Sequence, residues 1–307
     1  MRVVSTSSLP IDLASQITCA LPGTDVFVPD RHVGLVDVGE TDALVCLLLD
    51  RIDEAALARM PKLRVVANCA VGVDNIDVAA ATRAGVAVAN TPDVLTEATA
   101  ELAFALLLAA ARRVGEGDRL VRSGAWTGWA LDQLLGIELT GKTLGIVGYG
   151  RIGQAVARRA VAFGMRVIHT GRTGGVPVDE LFRTADVVSL HCPLTAETRH
   201  LVNADRLAVM KPTAILVNTA RGGCVDDTAL IDALTAGRIF AAALDVYANE
   251  PAIDPRYLSC PRLVLAPHIG SATTETRTAM AQLCADAVIA VLSGRRPSNV
   301  VNPEVLR

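Results

Sequence analysis

Residues 143 to 173 constrain this chain more tightly than any other stretch. A short apolar run, Leu144 to Val147, leads into Gly148-Tyr149-Gly150-Arg151-Ile152-Gly153. A helix-compatible segment follows, Gln154 to Phe163, and then a second apolar run, Arg166 to His169. Strand, glycine turn, helix and strand in that order are the context in which G-x-G-x-x-G reads as a dinucleotide-binding fingerprint. Gly148 permits the tight turn, Gly150 lets the backbone approach a pyrophosphate, and Gly153 lets the helix pack closely on the strand. The phosphates are expected on the helix N-terminus, where unpaired N–H groups and the helix dipole favour negative charge.

The end of the second strand bears on which dinucleotide is held. A site for NAD usually carries an Asp or Glu there, accepting from the ribose 2′-OH. This chain reads His169-Thr170-Gly171-Arg172-Thr173 and has no carboxylate. Arg172 can instead meet the 2′-phosphate of NADP, with Thr170 and Thr173 as hydroxyl donors. The plainer reading is an arginine on a solvated loop. The expectation is NADP(H) in preference to NAD(H).

At 307 residues the chain exceeds one ordinary α/β unit, so two domains are expected. Half of it is apolar while aromatics are scarce, which suits a sheet flanked by closely packed helices with ample core. A net charge of −3 gives no reason to expect nucleic acid or an anionic membrane as a partner. The seven cysteines are odd in number and nowhere spaced C-x-x-C, so they read as free thiols in a reducing compartment. Arg2-Val3-Val4 follows the first residue with no signal-peptide pattern, and Leu102 to Ala111 is too short an uncharged run to span a bilayer. A cytoplasmic protein is expected.

Before the fingerprint, short apolar runs alternate with helix-like segments. Strands are expected at Arg2–Ser5, Val26–Val28, Ala43–Leu49, Leu63–Asn68 and Val86–Ala89, with helices at Asp53–Met60 and Ile76–Ala84. Within this region Ala70-Val71-Gly72-Val73-Asp74-Asn75 has two readings. It is a nest of backbone N–H groups for a small anion, or a strand-to-helix turn capped by Asn75 or Asp74. Residues 91 to 114 hold a long helix, capped by Thr96 or Asp93 and apolar nearly all round. Such a helix is buried on more than one face and is expected to cross between domains or lie in a subunit interface. Residues 115 to 142, with both tryptophans (Trp126, Trp129), read as a connector that meets a neighbour.

After the fingerprint, strands are expected at Asp186–Cys192, Ala214–Thr219, Ala241–Asp245 and Leu263–Ala266. Helices are expected at Val178–Ala185, Ala204–Val209, Thr228–Ala236 and Thr273–Ser293. This completes a doubly wound sheet whose strand C-termini line a cleft. Three strand ends carry the chemistry: Asn218-Thr219-Ala220-Arg221-Gly222-Gly223, then Asp245 through Glu250-Pro251, then Pro267-His268-Ile269-Gly270-Ser271. Alone, each of Arg221, Asp245, Glu250 and His268 has a bland reading. Together, on successive strands of one nucleotide-binding sheet, they are much harder to dismiss as surface residues. A carboxylate within about 4–6 Å favours the charged form of an imidazole, and an arginine cannot lose its proton. No His pair falls at metal-ligand spacing, so no metal is expected.

These motifs, with their spacing, resemble the D-isomer-specific 2-hydroxyacid dehydrogenase family over essentially the whole chain. Asn90 to Phe104, Arg119-x-Val121-Arg122-Ser123-Gly124-x-Trp126 and Thr170-Gly171-Arg172 are most similar to the NADPH-dependent glyoxylate/hydroxypyruvate reductases. The resemblance implies an α/β fold of two doubly wound parallel-sheet domains. A Rossmann nucleotide-binding domain (98–277) is inserted into a flavodoxin-like substrate domain (1–97 plus 278–307). It implies His268 as acid/base, Glu250 as its partner and Arg221 as substrate clamp, with Val71 and Gly72 offering backbone N–H to the substrate carboxylate. It implies dinucleotide contacts from Gly148, Gly150, Arg151, Ile152, Gly153, Gly171, Arg172 and Thr173, and from Cys192, Pro193, Thr198, Thr219, Ala220, Arg221, Asp245, His268 and Gly270. Asp245 is the residue expected on the nicotinamide carboxamide. A homodimer through residues 98–142 is implied as well, with a small 2-keto or 2-hydroxy acid as substrate. One departure stands out: Gln133 lies near where such reductases often carry an aromatic that enters the partner's pocket. The competing readings are a D-3-phosphoglycerate-type dehydrogenase and a non-catalytic NAD(P)H-sensing protein on the same fold.

Overall fold

The computed structural model describes every residue except Thr173 and Arg307. Two compact units emerge, Met1–Leu95 together with the chain from Ser271 onward, and Thr96–Gly270.

The first unit opens with β1 (Arg2–Ser5), α1 (Leu13–Ala20), β2 (Asp25–Phe27), β3 (Ala43–Cys46), α2 (Glu54–Ala58), β4 (Val65–Asn68), α3 (Val78–Arg83) and β5 (Ala87–Ala89). Its five strands lie in the order β2-β1-β3-β4-β5, every neighbouring pair parallel. Alternate side chains divide between two cores, as a pleated strand requires. Val4, Leu44, Val66 and Val88 enter one, and Val3, Val45, Ala67 and Ala87 enter the other. Burial on both faces explains why these strands read as unbroken apolar runs.

Several boundaries differ from the sequence reading, each for a local polar reason. Strand β3 stops at Cys46 instead of reaching Leu49, because the Asp50 carboxylate accepts the Leu47 N–H at 2.8 Å and turns the chain. Helix α3 starts at Val78 and is capped by Asp77, which accepts from Ala80 N–H at 2.8 Å. Asn75 is not the cap; its amide donates to the carbonyls of Leu47 and Asp50 at 3.1 and 3.0 Å. Helix α1, which the sequence reading does not anticipate, is short and rests on buried Leu13 and Ile17, one turn apart.

The second unit begins with α4 (Thr96–Ala111) and α5 (Val114–Arg122), then β6 (Thr143–Val147), α6 (Arg151–Ala162), β7 (Arg166–Gly171) and β8 (Gly174–Gly175). It continues through α7 (Val178–Thr184), β9 (Val187–Leu190), α8 (Ala204–Val209), β10 (Ile215–Asn218), α9 (Asp227–Thr235), β11 (Ala241–Leu244) and β12 (Leu263–Leu265). The strand order is β12-β11-β10-β9-β6-β7-β8, parallel except for the short β8 hairpin on β7. The chain runs outward from β6 in one direction through β7, then in the other through β9 to β12. The reversal between β6 and β9 is a topological switch point, where the carboxyl ends of the strands leave a crevice.

One face of this sheet packs Leu144, Ile146, Ile215, Val217 and Ala243 under α4 and α6. The other packs Val188, Leu190, Leu216 and Leu244 under α7, α8 and α9. Helix α4 is buried on more than one side, as expected, and it lies against α6 and β10 to β12. Thr96 is its first residue instead of its cap. Helix α5 falls where the glycine-bearing sequence reads as a connector. It forms nonetheless, with Arg113 paired to Glu116 and Arg122 to Asp118 across single turns.

The chain closes with α10 (Thr274–Leu292), capped by Thr273 and packed on α1, β3, β4 and β5 of the first unit. Arg64 donates to the carbonyls of Val291 and Leu292 at its C-terminal end, where a cation meets the negative pole of the helix.

Candidate active site

The fingerprint turn has the form its glycines require. Gly150 caps α6, and Arg151 and Ile152 are the first residues of that helix. A Cβ added at Gly153 would lie 2.3 Å from the Gly148 carbonyl oxygen, so only glycine lets helix and turn approach this closely. A Cβ at Gly150 would meet nothing within 4 Å. The main chain at Gly150 therefore faces open space, which is where a pyrophosphate would rest against bare backbone. The Tyr149 ring stacks on His169 with centroids 3.9 Å apart and planes 17° apart, tying the turn to β7. Gly171 ends that strand and Arg172 is exposed just beyond it. Thr173 lies outside the described residues.

The end of β9 adds a second wall. His191 donates its backbone N–H to Val147 at 2.7 Å, and its ring bonds the Ser189 hydroxyl at 2.8 Å. Burial pushes the His191 pKa down to about 4, so the ring is neutral at physiological pH. Cys192 is buried and Pro193 exposed. Thr198 donates to the Pro193 carbonyl at 2.6 Å and accepts from Thr195 N–H at 2.7 Å, so it braces that turn.

At the end of β10, Asn218 folds the next residues into shape. Its carbonyl accepts from Ala220 N–H at 3.0 Å and its amide donates to the Arg221 carbonyl at 2.9 Å. The Arg221 guanidinium donates to the Ala220 carbonyl at 2.7 Å. Thr219 is buried, and its hydroxyl has no hydrogen-bond partner among the described residues. An open backbone cradle after β6 and an orphaned buried hydroxyl after β10, at the carboxyl ends of strands of one sheet, fit a nucleotide cofactor with its own donors and acceptors.

Asp245 and His268 form the centre. Asp245 is 1 % exposed, and its two carboxylate oxygens accept from the N–H groups of Ile269 and Gly270 at 2.7 and 2.8 Å. Its backbone carbonyl takes the His268 N–H at 2.9 Å. Three consecutive N–H groups thus converge on one residue, making Asp245 first of all a brace for the His268 turn. Burial raises the Asp245 pKa in spite of these bonds. His268 sits in the left-handed region at φ 54°, a conformation costing a non-glycine residue on the order of 1–3 kcal/mol, retained where the surroundings over-determine it. The result is that His268 Nδ1 meets Glu250 Oε2 at 2.6 Å. The other Glu250 oxygen accepts from Tyr247 N–H at 2.8 Å. Burial pushes the Glu250 pKa up, but the bonds to His268 and Tyr247, with the charges of His268 and Arg221, bring it below the usual glutamate value. The Glu250–Pro251 bond is cis.

Val71 and Gly72 lie in the first unit, on the loop leaving the carboxyl end of β4.

Comparison with known proteins decides the family. Residues 104–270 match the model of the D-isomer specific 2-hydroxyacid dehydrogenase NAD binding domain. A glyoxylate reductase from Thermococcus litoralis is 50% identical over 297 residues, covering 92% of this chain and 90% of the relative. The chain belongs to the D-isomer specific 2-hydroxyacid dehydrogenases. A second glyoxylate reductase, from Aeropyrum pernix, is 51% identical over 91% of this chain and 88% of its own. Among solved structures, the TT0316 protein of Thermus thermophilus superposes with a TM-score of 0.93 at 46% identity, covering 98% of this family member and 100% of that chain. An NADPH-dependent glyoxylate/hydroxypyruvate reductase from Sinorhizobium meliloti, solved with NADP and malonate, gives a TM-score of 0.84 at 32% identity over 98% and 97% of the two chains.

Sequence reasoning passed over several contributors to the family member's site. Asn218 stood in a quoted motif without a role, although an asparagine ending a strand before a turn is a recognisable local brace. Tyr247, whose N–H holds Glu250, and the Tyr149–His169 stack depend on contacts that no spacing rule announces. Among the described residues, no helix is long and apolar enough to cross a membrane.

Proposed function

We propose that this protein reduces small 2-keto acids, glyoxylate or hydroxypyruvate, to the corresponding 2-hydroxy acids, with NADPH preferred over NADH. The observation that carries the reading is the 2.6 Å contact of His268 Nδ1 with Glu250 Oε2, beyond the carboxyl ends of strands of the same sheet that bears the glycine fingerprint. The names of the glyoxylate reductases at about half identity support the substrate class.

Reduced nicotinamide supplies the hydride when bound. The chain's own residues supply the rest. Glu250, held ionised, takes the Nδ1–H of His268 and fixes the ring, so that Nε2 is the nitrogen that gives its proton to the carbonyl oxygen as negative charge develops there. Arg221 keeps its charge at any physiological pH and pairs with the substrate's anionic oxygens through fixed N–H groups. Val71 and Gly72 offer main-chain N–H to the carboxylate. Gly148, Gly150 and the first residues of α6 would hold the dinucleotide phosphates, and Arg172 would meet a 2′-phosphate. In this reading the unit Thr96–Gly270 holds the dinucleotide and the other unit receives the acid.

The protein acts as a homodimer through residues 98–142, where Val114, Val121, Trp126, Trp129, Leu131 and Leu135 stand exposed.

The test is a panel of 2-keto acids assayed with NADPH and with NADH at equal concentration, alongside His268→Asn. Turnover of glyoxylate or hydroxypyruvate is expected, and the variant should lose about 10²–10⁴-fold in kcat while still binding dinucleotide. No turnover of any keto acid, or a His268→Asn enzyme near wild-type rate, defeats the reading.

A further inference from the structure

We infer that Asn68 and Asn90 are positioning residues for the substrate carboxylate, holding the loop Ala70–Val73 so that three consecutive N–H groups face outward. The inference rests on the keto-acid reading above and extends it to residues that touch no substrate.

Three successive carbonyls in this loop are pinned from behind. That of Ala70 accepts the Thr91 N–H at 2.8 Å. The Val71 carbonyl accepts from the Asn90 side-chain amide at 2.8 Å, and the Gly72 carbonyl from the Asn68 amide at 2.9 Å. In a trans peptide the N–H of the next residue points opposite to the carbonyl. Pinning the carbonyls of 70, 71 and 72 therefore turns the N–H groups of Val71, Gly72 and Val73 away from their braces. None of these three donates to another described residue. Consecutive outward N–H groups carry a concentrated partial positive charge suited to a small anion.

Both asparagines are themselves fixed. Asn68 is fully buried, and its carbonyl oxygen accepts from Asn75 at 3.3 Å and from the Cys46 thiol at 3.4 Å. Asn75 in turn donates to the carbonyls of Leu47 and Asp50. Asn90 exchanges two bonds with Asn299, its own N–H donating at 3.1 Å and its carbonyl accepting at 2.6 Å. Each asparagine spends an amide donor on a carbonyl whose peptide partner faces out.

The experiment follows the amide signals of Gly72 and Val73 in ¹⁵N-labelled full-length protein while oxamate, an unreactive keto-acid analogue, is added with NADPH present. Both signals should shift in the wild type, and neither should respond to oxamide, which lacks the carboxylate. Asn90→Ala removes one brace from a partly exposed position. It should need about three- to tenfold more oxamate for the same shift, with KM for glyoxylate rising in step and kcat within about twofold. Asn68→Asp, of equal size but without the donor, should show a larger loss; if that variant does not fold, Asn90→Ala carries the test alone. Identical oxamate titrations in wild type and Asn90→Ala, or Gly72 and Val73 signals unmoved by oxamate, overturn the inference. Shifts without turnover of any keto acid leave the bracing in place and remove the reductase reading instead.

Discussion

At the scale of single residues, the site is set by what each oxygen and nitrogen is already doing. Glu250 accepts from both Tyr247 and His268, and its pKa is lowered in the fold. Between that lowered value and the ordinary one near about 4.3, the unfolded chain binds more protons than the folded one. The stability tied to this carboxylate is thus complete above the ordinary value and is lost as pH falls through the lowered one. His191 adds to the same acid limb. Its pKa is held down to about 4, so its contribution is whole above about 6.5 and declines as the pH drops toward the lowered value. Glu250→Gln should show a smaller drop in urea midpoint from pH 7 to pH 3 than the wild type, and a kcat lower by about 10²-fold or more at pH 7. Equal pH slopes would disconnect Glu250 from the imidazole. Arg221, Glu250 and His268 stood out in the sequence because titratable or charged side chains follow three successive strands there, and the contact of His268 with Glu250 is the part of that reading visible in the fold. The bracing work of Asp245 was not, since its partners are the N–H groups of Ile269 and Gly270, and a sequence displays side chains only.

At the scale of elements, the fingerprint separates two uses of glycine that look alike in the sequence. Gly153→Ala brings a methyl group against the Gly148 carbonyl and should lower the melting temperature as well as dinucleotide affinity. Gly150→Ala meets nothing in the protein, so its melting temperature should stay within about 2 °C of wild type while dinucleotide Kd rises at least about tenfold. A Gly150→Ala enzyme with unchanged Kd would show that nothing lies on that backbone. The exposed Arg172 makes a parallel case: Arg172→Ala should cut the preference for NADPH over NADH by about ten- to a hundredfold, read from kcat/KM with each cofactor. The strand–turn–helix–strand order here was readable because buried parallel strands are unbroken apolar runs. Helix α5 was hidden by Gly115 and Gly117, whereas α3 was expected and only its start was misplaced, at Ile76, because the Asn75 amide is committed to two carbonyls more than twenty residues earlier in the chain and Asp77 is the cap.

At the scale of the whole molecule, the segment between α5 and β6 leaves Trp129 and Leu131 each 81% exposed, apolar surface of the kind that a partner covers. If copies of the chain cover it, the double variant Trp129→Glu, Leu131→Glu should sediment as a monomer where the wild type sediments as a dimer. The order in which the chain is made adds a further point. The five strands of the first unit are complete by Ala89, yet Cys284, Ala285, Val288 and Val291 on α10 supply a large part of one face's cover. A ribosome must produce the entire second unit before that helix exists. During synthesis Val3, Val45, Ala67 and Ala87 wait with only Leu13 and Ile17 of α1 to cover that face, while the cores on both sides of the second unit's sheet are built from residues within 96–270. Newborn chains halted near Gly270 should therefore resist protease in their later half and be cut in their earlier half, and the first-made strands are the ones that need a chaperone's shelter.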